Sequence, residues 1–230
     1  MEHGFTWVQQ IPGLMLLEPH TATAVIVMVG LVIFALRARQ QMAAVGESDV
    51  PDAGFSARNI AEVLTQFISD LAESVIGHDG QKYVPLFASF FVFILFSNLI
   101  GLIPGFSPPT DNFNVTLGLG VVAFGAYNVY GFREHGFAYL KQFMGPMLLL
   151  APLMLIVELF SHAFRPISLS IRLFGNMFAD HLLLGLFTDL TKVLVPVIFY
   201  LLGTFVSLVQ ALVFTLLTMV YVSLAISHEH

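Results

Sequence analysis

Long apolar runs separated by short polar segments make up most of this chain. The first run covers residues 21–36 and ends at Arg37, and two more cover residues 83–103 and 115–130. Apolar runs of about this length are typical of helices that cross a lipid bilayer. The pattern therefore predicts three membrane spans in the first part of the chain.

Two longer apolar stretches follow, at residues 143–187 and 188–226, and neither contains a convincing loop. A helix rises about 1.5 Å per residue, so about 45 helical residues would span roughly 65 Å, twice the hydrocarbon core of a bilayer. Each stretch therefore forms either a bent pair of spans or one long, strongly tilted helix. Pro152, Pro166 and Pro196 permit bends, and periodicity alone does not decide between the two structures.

Residues 56–76 have a different pattern, because apolar and polar side chains occupy opposite faces of a helix. This predicts an amphipathic helix on the cytoplasmic surface, which either lies in the membrane plane or docks against neighbouring protein. The polar face is mostly acidic and would repel anionic lipid, which favours docking. The apolar face carries Ile60, Val63, Leu64, Phe67, Ile68, Leu71 and Val75.

The basic residues predict the orientation of the chain in the membrane. Residues 1–20 contain no Lys or Arg, whereas Arg37 and Arg39 follow the first apolar run. Because basic residues are enriched on the cytoplasmic side, the N-terminal segment is expected outside and Arg37 inside. Five crossings then place His230 in the cytoplasm. We expect one all-α, polytopic membrane domain over residues 1–230.

Composition excludes most other classes of protein. Hydrophobic residues make up 57% and charged residues 10% of the chain, whereas a soluble domain is roughly 25% charged. The absence of Cys excludes thiol chemistry and Cys-based metal sites. A net charge of −6 gives no support for a nucleic-acid partner. There is no P-loop pattern, so no nucleotide site is expected in this chain, and no cofactor is expected.

Polar residues interrupt the fourth apolar stretch at helical spacing. Ionisable residues inside apolar sequence are costly in lipid and usually mark ion pathways. Steps of three or four residues place them on one helix face. The stripe consists of Glu158, His162, Arg165, Ser168, Arg172 and Asn176.

Members of this stripe differ in what their spacing indicates. Glu158 and Arg165 form either a packing ion pair or part of an ion path. Arg172 has no acid three or four residues away, so it is expected to meet a carboxylate from another chain. His181 lies nine residues further on, about half a turn around the helix from Arg172. Gln210, the lone amide of a long apolar run, either forms an interhelical hydrogen bond or belongs to the site.

These residues stand in recognisable runs. The sequence RPISLSIRLFGNMFADH, residues 165–181, resembles the signature of subunit a of F-type ATP synthases. The run QALVFTLLTMVY, residues 210–221, is similar to the last helix of that family, and NVTL at residues 114–117 also fits. The resemblance covers nearly the whole chain. It implies a membrane stator whose two last helices lie steeply tilted against a rotating ring of c subunits.

The resemblance also implies roles for individual residues. Arg172 corresponds to the essential stator arginine that faces the ring carboxylate. Many members have Glu where this chain has His181, and some add a titratable group seven residues before the glutamine, where this chain has Gly203. The implied proton pathway contains Asn176, His181 and Gln210 on the outside half, and Ser168 and Glu158 on the cytoplasmic half, with Asp111, Asp180 and Asp189 as further candidates.

The function implied is coupling of proton flow to ring rotation and ATP synthesis in an H⁺-transporting two-sector ATPase. The expected partners are the c-ring, peripheral-stalk b subunits, the catalytic head and the lipid bilayer, with no nucleic acid. The expected location is a bacterial inner membrane. Two other classes of protein are alternatives. A secondary transporter would predict inverted repeats, which the sequence lacks, and a purely structural anchor leaves Arg172 and Gln210 without a role beyond packing.

Overall fold

A computed structural model describes residues 7–10, 16–45, 56–136, 139, 151–190 and 194–227. Within these ranges the protein is all-helical, and five helices are long and apolar enough to cross a membrane. The fold is therefore that of a polytopic α-helical membrane protein, as predicted. The α-helices are α1 (Pro19–Val45), α2 (Ala57–Ile76), α3 (Val84–Ile100), α4 (Phe113–His135), α5 (Ala151–Leu190) and α6 (Leu194–Ile226).

Local sequence explains several of the helix ends. The Ser56 hydroxyl accepts a hydrogen bond from the backbone N–H of Asn59 at 3.2 Å and caps α2. The Asn112 side chain caps α4 in the same way. Both helices end at a glycine with positive φ, Gly77 at +91° and Gly136 at +56°, where other residues would be strained.

The observed ends of the membrane helices differ from the predicted ones. Helix α1 continues to Val45, so the polar linker expected from residue 40 begins later. Ala, Arg, Gln and Met are good helix formers, and charges do not stop a helix once it leaves the apolar layer. Helix α3 ends at Ile100, short of the expected residue 103, because residues 101–105 form turns. Helix α4 extends beyond 115–130 at both ends.

Each of the two long apolar stretches contains one long helix, α5 or α6, rather than a bent pair of spans. Residues 151–190 form one continuous helix of 40 residues, which is about 60 Å long and can fit a bilayer core only when steeply tilted. The expected boundary at residue 188 is wrong, because α5 continues to Leu190. Residues 143–150 and 191–193 lie outside the described ranges. Pro166 inside α5 cannot donate a backbone hydrogen bond.

The two long helices pack against each other in antiparallel register. Asn176 of α5 contacts Gln210 of α6, and Arg165 contacts Tyr221. Both pairs of residue numbers add up to the same value, as expected for two helices that run in opposite directions. Contacts near the two ends of the interface are therefore set by one alignment of α5 against α6.

Helices α2, α3, α4, α5 and α6 share a core of aromatic and aliphatic side chains. Phe87 and Ile94 of α3, Tyr127 of α4, Leu173 of α5 and Phe214 of α6 are each less than 2% exposed. Many large apolar side chains on α1, α5 and α6 are instead exposed on the outer surface. Exposed apolar helix faces are expected where the solvent is lipid or a partner helix.

Helix α2 is amphipathic, as predicted, and it packs on the bundle. Ile68 and Ala72 are fully buried, and α2 contacts α1, α3 and α6. Val63 and Phe67 remain 67% and 43% exposed. Part of the apolar face thus docks within this chain, and part is left for lipid or a partner. The cytoplasmic position of α2 stays a prediction.

The N-terminal residues that the structure describes lie against the loop between α3 and α4. The Trp7 backbone N–H donates to the Gly105 carbonyl at 3.1 Å, and its indole Nε1 donates to the Pro104 carbonyl at 3.2 Å. Val8 beside it is buried. Residues 1–6 and 11–15 lie outside the described ranges. The segment and this loop therefore share one end of the bundle.

Candidate functional site

Arg172 lies near the middle of α5, on the outer surface of the bundle. Its side chain is exposed, and within the described residues it forms neither an ion pair nor a hydrogen bond. The neighbouring Gly175 is also exposed, and a Cβ added there would meet no atom within 4 Å. A guanidinium that has no acid partner among the described residues, and open space beside it, can approach a carboxylate on another subunit.

One turn from Arg172, two predicted site residues form a hydrogen bond between helices. The Asn176 amide Nδ2 donates to the Gln210 side-chain oxygen Oε1 at 2.6 Å. Gln210 is only 3% exposed, whereas Asn176 is exposed. The interhelical hydrogen bond that the sequence left open for Gln210 is thus formed, and its partner is itself a candidate site residue.

Asp180 lies one further turn along α5, against α6. Its Oδ2 atom would be 2.7 Å from a Cβ added at Gly203, so the carboxylate lies directly against that glycine. The absence of a side chain at residue 203 is what makes room for it. A titratable group therefore lies at this point of the α5–α6 interface, although α6 does not supply it.

Asp180 and His181 line a small cleft between α3, α5 and the loop that follows α3. Asn98 is a third polar residue of its lining, and apolar neighbours such as Met177 and Leu184 complete it. The cleft is about large enough for one water molecule. His181 thus lines a cleft, whereas Arg172 lies on the outer surface.

Asp111 belongs to the loop between α3 and α4, at the same end of the bundle. Burial raises the pKa of its carboxyl group above the ordinary value, while the charges of His181 and His20 and a hydrogen bond from Ser107 oppose the increase. The carboxyl group is therefore near both histidines. Asp111, Asp180, His181 and His20 are all titratable groups at this end of the molecule.

The other end of the polar stripe contains an ion pair. Arg165 Nη2 lies 3.4 Å from Glu158 Oε1, and the guanidinium carbon Cζ lies 5.4 Å from the centre of the Tyr221 ring on α6. The packing pair considered from the sequence is therefore present, with both side chains partly exposed. Ser168 is exposed and donates to the Arg165 carbonyl at 3.1 Å.

The polar stripe on α5 does not share one environment. His162 is 7% exposed and faces α4, where its Nε2 lies 2.9 Å from the Asn128 side-chain oxygen. The Tyr139 hydroxyl donates to that same oxygen at 3.2 Å. Ser168 and Arg172 are exposed instead. Steps of three and four residues spread the stripe over about a third of the helix circumference, so its edges face different neighbours.

Sequence reasoning missed Asn98, Asn128 and His20. Asn98 and Asn128 are lone amides inside apolar spans, the same signal that identified Gln210. His20 precedes the first apolar run and had no such signal. The side chain of Asp189 lies outside the described residues, so its predicted role stays a prediction. Among the described residues, no cluster of three or more His, Cys, Asp or Glu could hold a metal ion.

A polytopic helical membrane protein with a fixed positive charge on its outer face, beside polar groups at helix interfaces, belongs to the class of ion-translocating membrane proteins. The comparison with known families is more specific. Residues 21–223 match the family model for the ATP synthase A chain, so the chain belongs to that family.

Individual relatives agree with this assignment. The ATP synthase subunit a of Bdellovibrio bacteriovorus is 48% identical over 227 residues, which cover 98% of this chain and 99% of the relative. The ATP synthase subunit a 1 of Syntrophotalea carbinolica is 44% identical over 75% of this chain and 74% of its own length. The subunit a of Geobacter sulfurreducens is 46% identical over 75% and 76%.

Proposed function

We propose that this chain is the stationary proton-conducting subunit of an F-type ATP synthase, and that Arg172 separates two aqueous half-channels. The chain's place in the ATP synthase A chain family supports a role in proton transport and ATP synthesis within the membrane sector. The observation that carries the finer proposal is that Arg172 is exposed and has no ion-pair partner among the described residues. Its charge couples proton flow to rotation of the c-ring.

The chemistry follows from the fixed charge of the guanidinium. An arginine at the centre of a bilayer costs about 2.5–3.5 kcal/mol on insertion scales, so it needs an anionic partner. A ring carboxylate that approaches Arg172 is stabilised in its ionised form and releases its proton. The same charge opposes passage of a proton directly from one half-channel to the other. A carboxyl group that has been neutralised can move into lipid, which permits rotation.

The outside half-channel runs along the α5–α6 interface. Asp111 and His181 form its entrance, and Asp180 and then the Asn176–Gln210 pair lie further along α5 toward Arg172. The spacing of four residues between Asp180, Asn176 and Arg172 separates successive polar groups by about 6 Å along the helix. The position of the Asp180 carboxylate against Gly203 supports this path.

The cytoplasmic half-channel begins near Arg172 and leaves past Ser168 and Glu158. The Glu158–Arg165 pair lies beside this route, and its partial exposure supports access to water. Asp189 is retained as a further candidate on the outside half. The N-terminus lies outside and the C-terminus in the cytoplasm of a bacterial inner membrane. The b subunits and the catalytic head assemble with the same complex.

The test is substitution of Arg172 in an assembled complex. We expect Arg172→Ala to leave assembly with the c-ring intact, since no ion pair within the described chain is broken. ATP-driven proton pumping and proton-driven ATP synthesis in vesicles should both be abolished. Arg172→Lys should fail as well, because lysine lacks the planar fork and can lose its proton.

A matched control comes from another exposed arginine. Arg133 in the last turn of α4 is exposed and lies outside the polar stripe, so Arg133→Ala should retain synthesis. Normal ATP synthesis by assembled Arg172→Ala complexes would disprove the mechanism.

The topology of the chain has a separate test. The chain has no Cys, so a single introduced cysteine can be labelled specifically. A cysteine introduced at residue 5 should react with impermeant reagents only from the outside.

A further inference from the structure

The single tryptophan of the chain faces outward at the end of the bundle where α1 begins and α3 ends. Trp7 is 51% exposed, whereas its neighbour Val8 is buried. The backbone N–H of Trp7 and its indole Nε1 donate to the carbonyls of Gly105 and Pro104. A Cβ added at Gly105 would meet Cδ1 and Nε1 of the indole, so the five-membered ring faces the loop. The polar edge of the indole is thus bonded within the protein, and the hydrocarbon six-membered ring is left to the outside.

Three further large apolar side chains are exposed at the same end of the bundle. Leu16, which is 94% exposed, and Leu17 lie just before α1, and Ile103 lies just after α3. Trp7 joins these two groups, because it binds the loop after α3 and its short helix contacts α1. We call Trp7, Leu16, Leu17 and Ile103 the terminal patch.

The depth of the terminal patch is set by the two helices that it borders. Helices α1 and α3 are both long and apolar enough to cross a bilayer, and the patch lies within a few residues of an end of each. Side chains at the level where such helices leave the hydrocarbon core meet the headgroup layer. Tryptophan is enriched at that level. The exposed row Val25, Val29, Val32 and Leu36 continues the apolar surface along α1.

We propose that the terminal patch inserts into the boundary between the headgroups and the acyl chains of the surrounding phospholipid. Docking of Trp7 on the loop after α3 fixes the depth of the indole there. Hydrocarbon contact drives the insertion, because residues 1–20 contain no Lys or Arg and the exposed Glu18 beside the patch is acidic. Attraction to anionic lipid through basic side chains is therefore not part of it. This contact with lipid goes beyond the proposed function.

A purely internal role for Trp7 makes a different prediction. If the indole only fastens the N-terminal segment to the loop, its outer ring stays in water. If a protein surface covers the patch, such as a second copy of this chain, neither water nor lipid reaches the ring. The three situations differ in which quencher of fluorescence reaches the indole. The chain needs no label, since Trp7 is its only tryptophan.

The experiment measures quenching of Trp7 fluorescence in the full chain, reconstituted into phosphatidylcholine vesicles. Lipids brominated at different positions along the acyl chain give the depth of the indole, and iodide reports its access to water. The hydrocarbon core is about 30 Å thick, so we expect the indole about 15 Å from the bilayer centre. Bromine near the headgroup should quench more strongly than bromine near the end of the chain. Replacement of part of the lipid by anionic phosphatidylglycerol should leave the depth unchanged.

Two variants in a Trp7→Phe background calibrate the depth. Val32→Trp places an indole on the exposed face of α1, near the middle of the span, and its depth should be close to the bilayer centre. Ile103→Trp places an indole within the terminal patch, and its depth should match that of Trp7 in the parent chain.

Two results would overturn the inference. One is a depth of more than about 22 Å with strong quenching by iodide, which would place the ring in water beyond the headgroups. The other is an indole that neither quencher reaches, which would mean that protein covers the patch. The parent chain gives this answer without any substitution. Because proton transport is not measured, either result leaves the proposed function intact, and the Arg172→Ala complexes test that function separately.

Discussion

Loss of the hydrogen bond between Asn176 and Gln210 should lower the free energy of unfolding by different amounts, depending on which of the two residues is replaced. Asn176→Leu leaves the Gln210 amide 3% exposed and without its partner at 2.6 Å. A stranded buried polar group costs about 1–3 kcal/mol. Gln210→Leu instead replaces the buried amide by an apolar side chain of similar size, and the exposed Asn176 can be solvated. We expect that change to cost less than about 1 kcal/mol.

A double-mutant cycle isolates the interaction itself. Once Gln210 has become leucine, Asn176→Leu should cost little more, so the two changes are not additive. Hydrogen bonds between membrane helices average about 0.6 kcal/mol in such cycles, with a maximum near 1.7 kcal/mol. Because the distance is short and one partner is buried, we expect a coupling energy between that average and that maximum.

The assay is unfolding of the purified chain in mixed micelles by increasing SDS, followed by loss of helix circular dichroism. The chain's one tryptophan, Trp7, contacts the loop after α3, so its fluorescence reports on a different part of the molecule. Ser168→Ala is the control, because Ser168 is exposed and its hydroxyl donates a hydrogen bond to a carbonyl of its own helix, and it should stay within about 0.5 kcal/mol.

Two outcomes would contradict this reasoning. One is a larger loss of stability for Gln210→Leu than for Asn176→Leu, because the argument depends on which partner is buried. The other is additivity of the two changes to within about 0.3–0.5 kcal/mol, the value seen for sites that do not interact. Either result would mean that the contact does not hold α5 and α6 together.

Three further predictions concern the end of the molecule that contains Asp111, Asp180 and the loop after α3. Gly203→Ala should slow proton-driven ATP synthesis in assembled complexes, because the new Cβ would lie 2.7 Å from the Asp180 carboxylate and displace it; an unchanged rate would contradict this. Burial raises the pKa of Asp111, so the folded chain binds this proton more tightly than the unfolded one and stability should rise as pH falls through the raised pKa. Asp111→Asn should remove that part of the pH dependence in SDS unfolding. Gly105→Ala should destabilise the docking of the N-terminal segment by about 1–3 kcal/mol, because φ is +88° at this residue and the new Cβ would collide with the Trp7 ring. The loss of docking should be measurable as stronger quenching of Trp7 fluorescence by a quencher added to the solution.

Hydrophobic pattern alone predicted the helices of this chain well. A run of apolar residues decides where the bilayer can be crossed, and that depends on local sequence. The ends of the helices are harder to predict from this pattern, as α1 shows. Residues 37–45 contain charged and amide side chains that end an apolar run, yet they are good helix formers and continue the helix into water. The end of a span and the end of a helix are therefore two different boundaries.

The candidate site was predictable to the extent that it rests on isolated polar residues in apolar sequence. Arg172 and Gln210 were identified in this way, and Asn98 carries the same signal. Contacts between helices were not predictable, because they depend on the alignment of α5 against α6. The sequence shows that residue 203 lacks a titratable side chain, but only the packed helices show that Asp180 lies against it.

The difference in burial between Asn176 and Gln210 bears on how a stationary subunit can face a moving one. A hydrogen bond to buried Gln210 fixes the Asn176 side chain on the exposed face of α5, one turn from Arg172. Without this hydrogen bond, the exposed Asn176 side chain would be free to change rotamer during the proposed passage of ring subunits. In the proposed mechanism, anchoring the exposed amide to a buried one would keep the surroundings of Arg172 the same through every step, so that each arriving carboxylate would meet the same field.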